Sequence, residues 1–307
     1  MKENTFNPTE FITSLKDTYG YGISTDVVGI FGDWYAARLF WKYICDEVNK
    51  NSNKLLYPGI EVLLWQYLSP WDEIESKQEI PIAGFHGRTG VDPQYSAISA
   101  IRILTTAFSL LLQSTPKALE KLSAAKKNLA NSSSSRSLYF LIHETEARSV
   151  LQNEGFKDNI PYPLAIENNP FEGSNQIANE VITLLLELNI TAIRVFDIVH
   201  YLLEKPNSLI DPASEWDEML QVLDSLGPCI VHISLGTNSH DSLPVEIITN
   251  QMWEKLAKTL QNKSRYIVIE YQRSSFLDKL WSVPLKDEAF VERTIKIFSL
   301  LKHYKII

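Results

Sequence analysis

The chain has 307 residues, 45% hydrophobic and 21% charged, with a net charge of −8 at neutral pH. This is the composition of an ordinary folded protein, and the acidic balance, with a pI near 5.4, argues against a broad non-specific nucleic-acid surface. No apolar run reaches the roughly 18 residues that a membrane span needs. The first residues lack the basic-then-apolar order of a signal peptide, and Cys45 and Cys229 make no disulfide framework. A reducing cytoplasm is therefore the expected compartment.

In chain order, residues 1–25 read as a loosely packed N-terminal extension with a helix near 9–19. Eight strand-like apolar runs follow, at 26–31, 60–65, 80–85, 138–142, 162–166, 191–196, 228–231 and 266–269. All are short and rich in Val, Ile, Leu or Phe, as strands buried on both faces are. Helical patterns alternate with them. Residues 35–50 place Leu39, Ile44 and Val48 at helical spacing, and 175–188 place Ile177, Val181, Leu184, Leu185 and Leu188 on one stripe. Residues 215–226, 244–261 and 287–303 read likewise. Strand–helix alternation repeated eight times predicts an α/β fold, a (β/α)8 TIM barrel in a single domain over 1–307. The stretch 87–137 is a long connection between strands three and four. It predicts a helical insertion, with helices near 95–113 and 116–128, and four serines after Asn131 predict a mobile loop. Whether that connection forms a lid over the barrel mouth or thickens the helix ring stays open.

Three histidines stand directly after strand-like runs, in Gly84-Phe85-His86, Leu141-Ile142-His143 and Ile230-Val231-His232. Glu167 follows Leu164-Ala165-Ile166, Asp197 follows Val195-Phe196, and Glu270 follows Ile267-Val268-Ile269. Six consecutive strands thus end in a group able to bind a cation. Side chains two apart on a strand point the same way. Two positions before each polar residue stand Gly84, Leu141, Ala165, Val195, Ile230 and Val268, which suit the filler layer inside a barrel. Carboxylates converging in a closed space repel and lose hydration, at a cost of several kcal/mol. A divalent metal offsets that cost, and His with carboxylate is a ligand set for zinc, manganese or cobalt. No phosphate-cradling glycine loop points to a nucleotide cofactor.

These motifs resemble the xylose-isomerase-like barrel superfamily, which includes sugar isomerases and epimerases and the endonuclease IV type of abasic-site nuclease. The resemblance covers strands three to eight. It implies a core of Glu167, Asp197, His232 and Glu270, with His200 completing a D-x-x-H element after strand six. The nuclease branch adds a His after strand three and another after strand four, where His86 and His143 stand, and a D-x-H element after strand seven. Asn238-Ser239-His240 is similar to that element, with Asn238 where the family has Asp. By this resemblance His86, His143 and Glu167 hold one metal. Glu167, Asp197, His232 and Glu270 hold a second, with Glu167 bridging. His200 and His240, with Asn238 or Asp241, hold a third.

Two readings follow. In the first, a multi-metal hydrolase cleaves a phosphodiester. Three divalent cations against Glu167, Asp197 and Glu270 leave a local surplus of about +3, which suits a phosphate oxyanion. In the second, one metal polarises a sugar or hydroxyketone while Glu167 and Glu270 act as acid and base. Trp34, Trp65 and Tyr67 then offer a wall for a sugar face, and Arg88 and Arg273 contact phosphate or carboxylate. A catalytically inactive barrel used as a binding module is a third possibility, which the intact core disfavours.

Overall fold

The computed structural model describes residues 6–24, 34–50, 58–63, 82–86, 139–145, 147, 163–205, 212–236, 243–261, 264–272 and 288–307, and gives the backbone alone at 34–38, 62–63, 82, 85–86, 212, 236 and 271–272. Eight parallel strands form the centre: β1 (Gly22–Ser24), β2 (Gly59–Leu63), β3 (Ile82–His86), β4 (Tyr139–His143), β5 (Leu164–Glu167), β6 (Ala192–Asp197), β7 (Cys229–Gly236) and β8 (Arg265–Gln272). Each pairs with the next in sequence, and β8 pairs with β1, so the sheet closes into a barrel. A two-residue piece, Leu243–Pro244, adds to the end of β7 at the rim.

Seven of the strands fall where the apolar runs predict them. The first does not. Gly22–Ser24 fills the first position in the barrel, paired with both β2 and β8; residues 26–31 lie outside the described residues.

The described helices pack around this sheet. They are α1 (Pro8–Tyr19), α2 (Trp34–Asn49), α3 (Ser174–Glu187), α4 (Ile198–Leu203), α5 (Pro212–Ser225), α6 (Asn250–Gln261) and α7 (Glu288–His303). The pattern at 244–261 predicts one helix, but residues Val245–Ile247 form a separate 3-10 turn. Thr249 restarts the chain as α6, its hydroxyl accepting from the Met252 amide at 3.3 Å, which is helix N-cap chemistry. The predicted insertion at 87–137 lies outside the described residues. No helix among the described residues is long and apolar enough to cross a membrane.

The expectation of a loose N-terminal extension is overturned. Asn7 caps α1 by accepting from the Thr9 and Glu10 amides, Pro8 starts it, and Gly20 ends it at φ 74°. Ile12, Leu15 and Tyr19 of α1 are fully buried against the inner barrel residues Leu141, Ala165, Ile193, Val195, Ile230, Tyr266 and Val268. Helix α1 is a plug for the N-terminal end of the barrel, held by apolar burial. The filler positions expected from the strand period, Leu141, Ala165, Val195, Ile230 and Val268, all lie in this inner cluster. At Gly84 a Cβ would meet the Tyr139 ring at 2.5 Å, so the glycine makes room for that ring. Below the site, then, the barrel is packed and closed, and its polar residues gather toward the other end.

Candidate metal centre

Among the described residues, the polar groups expected from strand ends, His143, Glu167, Asp197, His232 and Glu270, are joined by one that strand ends did not predict. Glu61 sits in the middle of β2 and is fully buried. The Tyr139 hydroxyl donates to its Oε2 at 2.7 Å. The same oxygen lies 3.3 Å from His232 Nε2, while His232 Nδ1 lies 2.9 Å from Glu167 Oε1. His232 is thus held between two carboxylates. Burial opposes a charge on its ring, yet Glu61 and Glu167 outweigh that and raise its pKa well above the ordinary imidazole value. Burial, and then the Glu61 charge, push the Tyr139 hydroxyl up as well, so it stays a donor.

Asp197 ends β6 and caps α4. Its Oδ1 accepts from the Val199 amide at 2.7 Å and the His200 amide at 2.8 Å. This local cap explains the D-x-x-H spacing: one helical turn returns His200 to the side of Asp197. His200 Nδ1 lies 2.8 Å from the Asn168 carbonyl oxygen. A carbonyl only accepts, so Nδ1 carries the proton and Nε2 is the ring nitrogen that could offer a lone pair to a cation.

Asn168, next to Glu167, fixes the ends of β5 and β6 relative to each other. Its side-chain oxygen accepts from the Asp197 amide at 3.0 Å, and its amide nitrogen donates to the Asp197 carbonyl at 3.1 Å. Arg194, on the helix side of β6, donates to Asn168 and Asn175 and to the Ile166 carbonyl. Burial lowers its pKa to about 10, which leaves it charged. Glu144 accepts from Ser174 and from Asn169 beside this bracket, and burial raises its pKa despite those bonds.

Two triads result. Glu61, His232 and Glu270 form one, and Glu167, Asp197 and His200 form the other. In each, one donor atom per residue lies within 4.8 Å of the others, and all six residues are buried. The triads touch where His232 meets Glu167, and where the Ser234 hydroxyl reaches Asp197 Oδ2 and, at 2.8 Å, Glu270 Oε2. His143 stands at the mouth, its Nδ1 3.7 Å from Glu167 Oε2 and its ring 6.3 Å from that of His200. Imidazole and carboxylate donors at these separations fit divalent-cation ligation, where two donors of one ion lie about 3 Å apart.

The grouping differs from the sequence expectation. The quartet divides: His232 and Glu270 group with Glu61, and Glu167 and Asp197 with His200. His200, expected with His240, lies with the β5 and β6 ligands. His86 closes β3 opposite Leu141 in backbone register. Trp34 begins α2. Arg88, Asn238, His240 and Arg273 lie outside the described residues. Glu61 had one signal in the sequence, as the lone charge inside an apolar run from Ile60 to Trp65.

Neither a scan against protein-family models nor a search of curated proteins finds a match to the chain. The structure itself carries the assignment. A closed eight-stranded parallel barrel with two buried His/Glu/Asp clusters toward its C-terminal rim is the arrangement of a metal-dependent barrel enzyme, consistent with the xylose-isomerase-like and endonuclease IV type.

Proposed function

We propose that the chain is a divalent-metal-dependent isomerase or epimerase of a sugar or hydroxyketone, using manganese, cobalt or zinc. The observation that carries this reading is Glu61. Glu61, Glu167, Asp197 and Glu270 bring four negative charges into the buried site. Two divalent cations, one per triad, bring +4 and balance them. Counting Glu61 lowers the surplus of a three-cation site from about +3 to about +2, and the two cations of the described triads leave none. A neutral centre suits an uncharged polyol better than a phosphodiester, which gains most from excess positive charge.

In this reading His232, Glu270 and Glu61 hold one cation, and Glu167, Asp197 and His200 hold the other. A cation there polarises the carbonyl and hydroxyl oxygens of the substrate. Glu167 and Glu270 move a proton at carbon, one accepting as the other donates. His143, the most exposed of these groups, orients a substrate hydroxyl from the mouth. The closed apolar plug beneath the site keeps bulk water from entering that way.

Phosphodiester hydrolysis is the second reading, and the His143–Glu167 approach supports it, since that pair belongs to the first metal of the nuclease-type set. The experiment that separates them offers the manganese-loaded protein a panel of aldoses and ketoses in heavy water, and bis(p-nitrophenyl) phosphate in a parallel assay. Deuterium entering a carbon next to the carbonyl supports isomerisation. Release of p-nitrophenol without sugar exchange refutes it in favour of hydrolysis.

A further inference from the structure

Ser234 has no place in the ligand set, yet it stands where the two triads meet. It lies on β7, two residues after His232, in register with Glu270 on β8, and is fully buried. Its hydroxyl reaches Asp197 Oδ2 from one triad and Glu270 Oε2 from the other. Asp197 Oδ1 is committed to the two amides that it caps. Oδ2 is therefore the oxygen left for a cation, and Ser234 occupies one side of it.

A hydroxyl has one proton and two lone pairs. Ser234 donates to one carboxylate and turns a lone pair toward the other. Two oxygens meeting without a proton between them repel, unless a cation draws charge from the carboxylate. A cation in one triad draws charge from its own carboxylate and so favours donation of the Ser234 proton to the carboxylate of the other triad.

We propose that Ser234 is a positioning residue that joins the two cation sites into one unit, fixing Asp197 Oδ2 and Glu270 Oε2 together. It contacts the ligands and not the substrate. This rests on the reading of the triads as cation sites. Hydrogen bonds to ligating carboxylates orient them, and their loss typically weakens metal affinity about 10–100-fold. A residue serving only one site moves one affinity; a joint residue moves both.

The test is calorimetric titration of the metal-free full chain with Mn2+, for the parent, Ser234→Ala and Ser234→Cys, with metal-free melting temperatures alongside. Cysteine keeps the volume with a much weaker hydrogen-bonding group, and is read in place of alanine if the latter does not fold. The expected result is two binding events in the parent, both weakened about tenfold or more in the variant, with the metal-free melting temperature little changed. Weakening of one event alone, or affinities within twofold of the parent beside a lowered metal-free melting temperature, overturns the proposal. A parent that binds no Mn2+ overturns the cation-site reading itself, a result distinct from the variant failing to differ.

Discussion

Replacing Glu61 with Gln removes one negative charge from the barrel interior while keeping the volume and an acceptor for the Tyr139 hydroxyl, which lies 2.7 Å away. A carboxylate and a unit charge 4 Å apart attract by about 4 kcal/mol at an effective dielectric of 20. Glu61 lies within 4.8 Å of the other donors of its triad, so a cation there feels an attraction of that order. Reorganisation and the retained acceptor reduce the loss, and substitutions in or beside a ligand shell come to about 10–100-fold in affinity, or about 1.4–2.8 kcal/mol. The assay is urea unfolding of parent and Glu61→Gln, each metal-free and each at the same excess of Mn2+. Ligand binding stabilises the folded state in proportion to the logarithm of its affinity. The gap between loaded and metal-free stability should therefore shrink by that amount in the variant. Any direct effect of the substitution on the metal-free protein cancels in the comparison. A gap unchanged within about 0.3 kcal/mol, well below the loss expected for a ligand-shell change, would refute Glu61 as part of the cation site and restore the positive surplus that favours phosphate chemistry.

Gly84→Ala should cost about 1–3 kcal/mol in urea unfolding, because the new Cβ meets the Tyr139 ring at 2.5 Å and that ring is fixed by its bond to Glu61. Asn168→Ala strips an acceptor from the buried Asp197 amide and from Arg194; a loss of about 2–4 kcal/mol is expected in the same assay, with weaker Mn2+ binding as Asp197 loosens. Glu204 supplies a pH effect. Burial raises its pKa from 4.5 to about 7, so the folded state holds a proton there that the unfolded chain releases near 4.5. Its stabilising contribution is complete below about pH 4.5 and is lost as pH rises through about 7. Because Glu204 is partly exposed, screening reduces the effect to the order of 1 kcal/mol. Glu204→Gln should gain on the parent in melting temperature from pH 5 to pH 8; a constant difference across that range would count against it.

What the sequence reveals and what it hides follow from how local each feature is. The seven strands from β2 to β8 are legible because strands buried on both faces must be continuously apolar. β1 is hidden because Gly22-Ile23-Ser24 offers only one apolar residue, while the neighbouring run at 26–31 looks more like a strand. The Asp197–His200 pairing is legible because a helix cap and one turn create it. The plug is half legible: Ile12, Leu15 and Tyr19 have helical spacing, but only the closed barrel shows what they cover. Glu61 escapes a search of strand ends because it lies mid-strand, where the barrel's stagger sets its depth. Ser234 reads as an ordinary strand serine until β6 and β8 bring Asp197 and Glu270 to its hydroxyl. The division of the ligands into two triads likewise depends on that stagger, which no single strand encodes.

The central claim is that two buried triads hold divalent cations. It is tested most directly by native mass spectrometry of the full chain, stripped with chelator and then titrated with Mn2+ or Zn2+, beside the same titration of His232→Ala and Asp197→Ala. The account predicts two bound ions per parent chain, with each variant losing at least one. A parent that binds none, or variants that bind two as tightly as the parent, would contradict it.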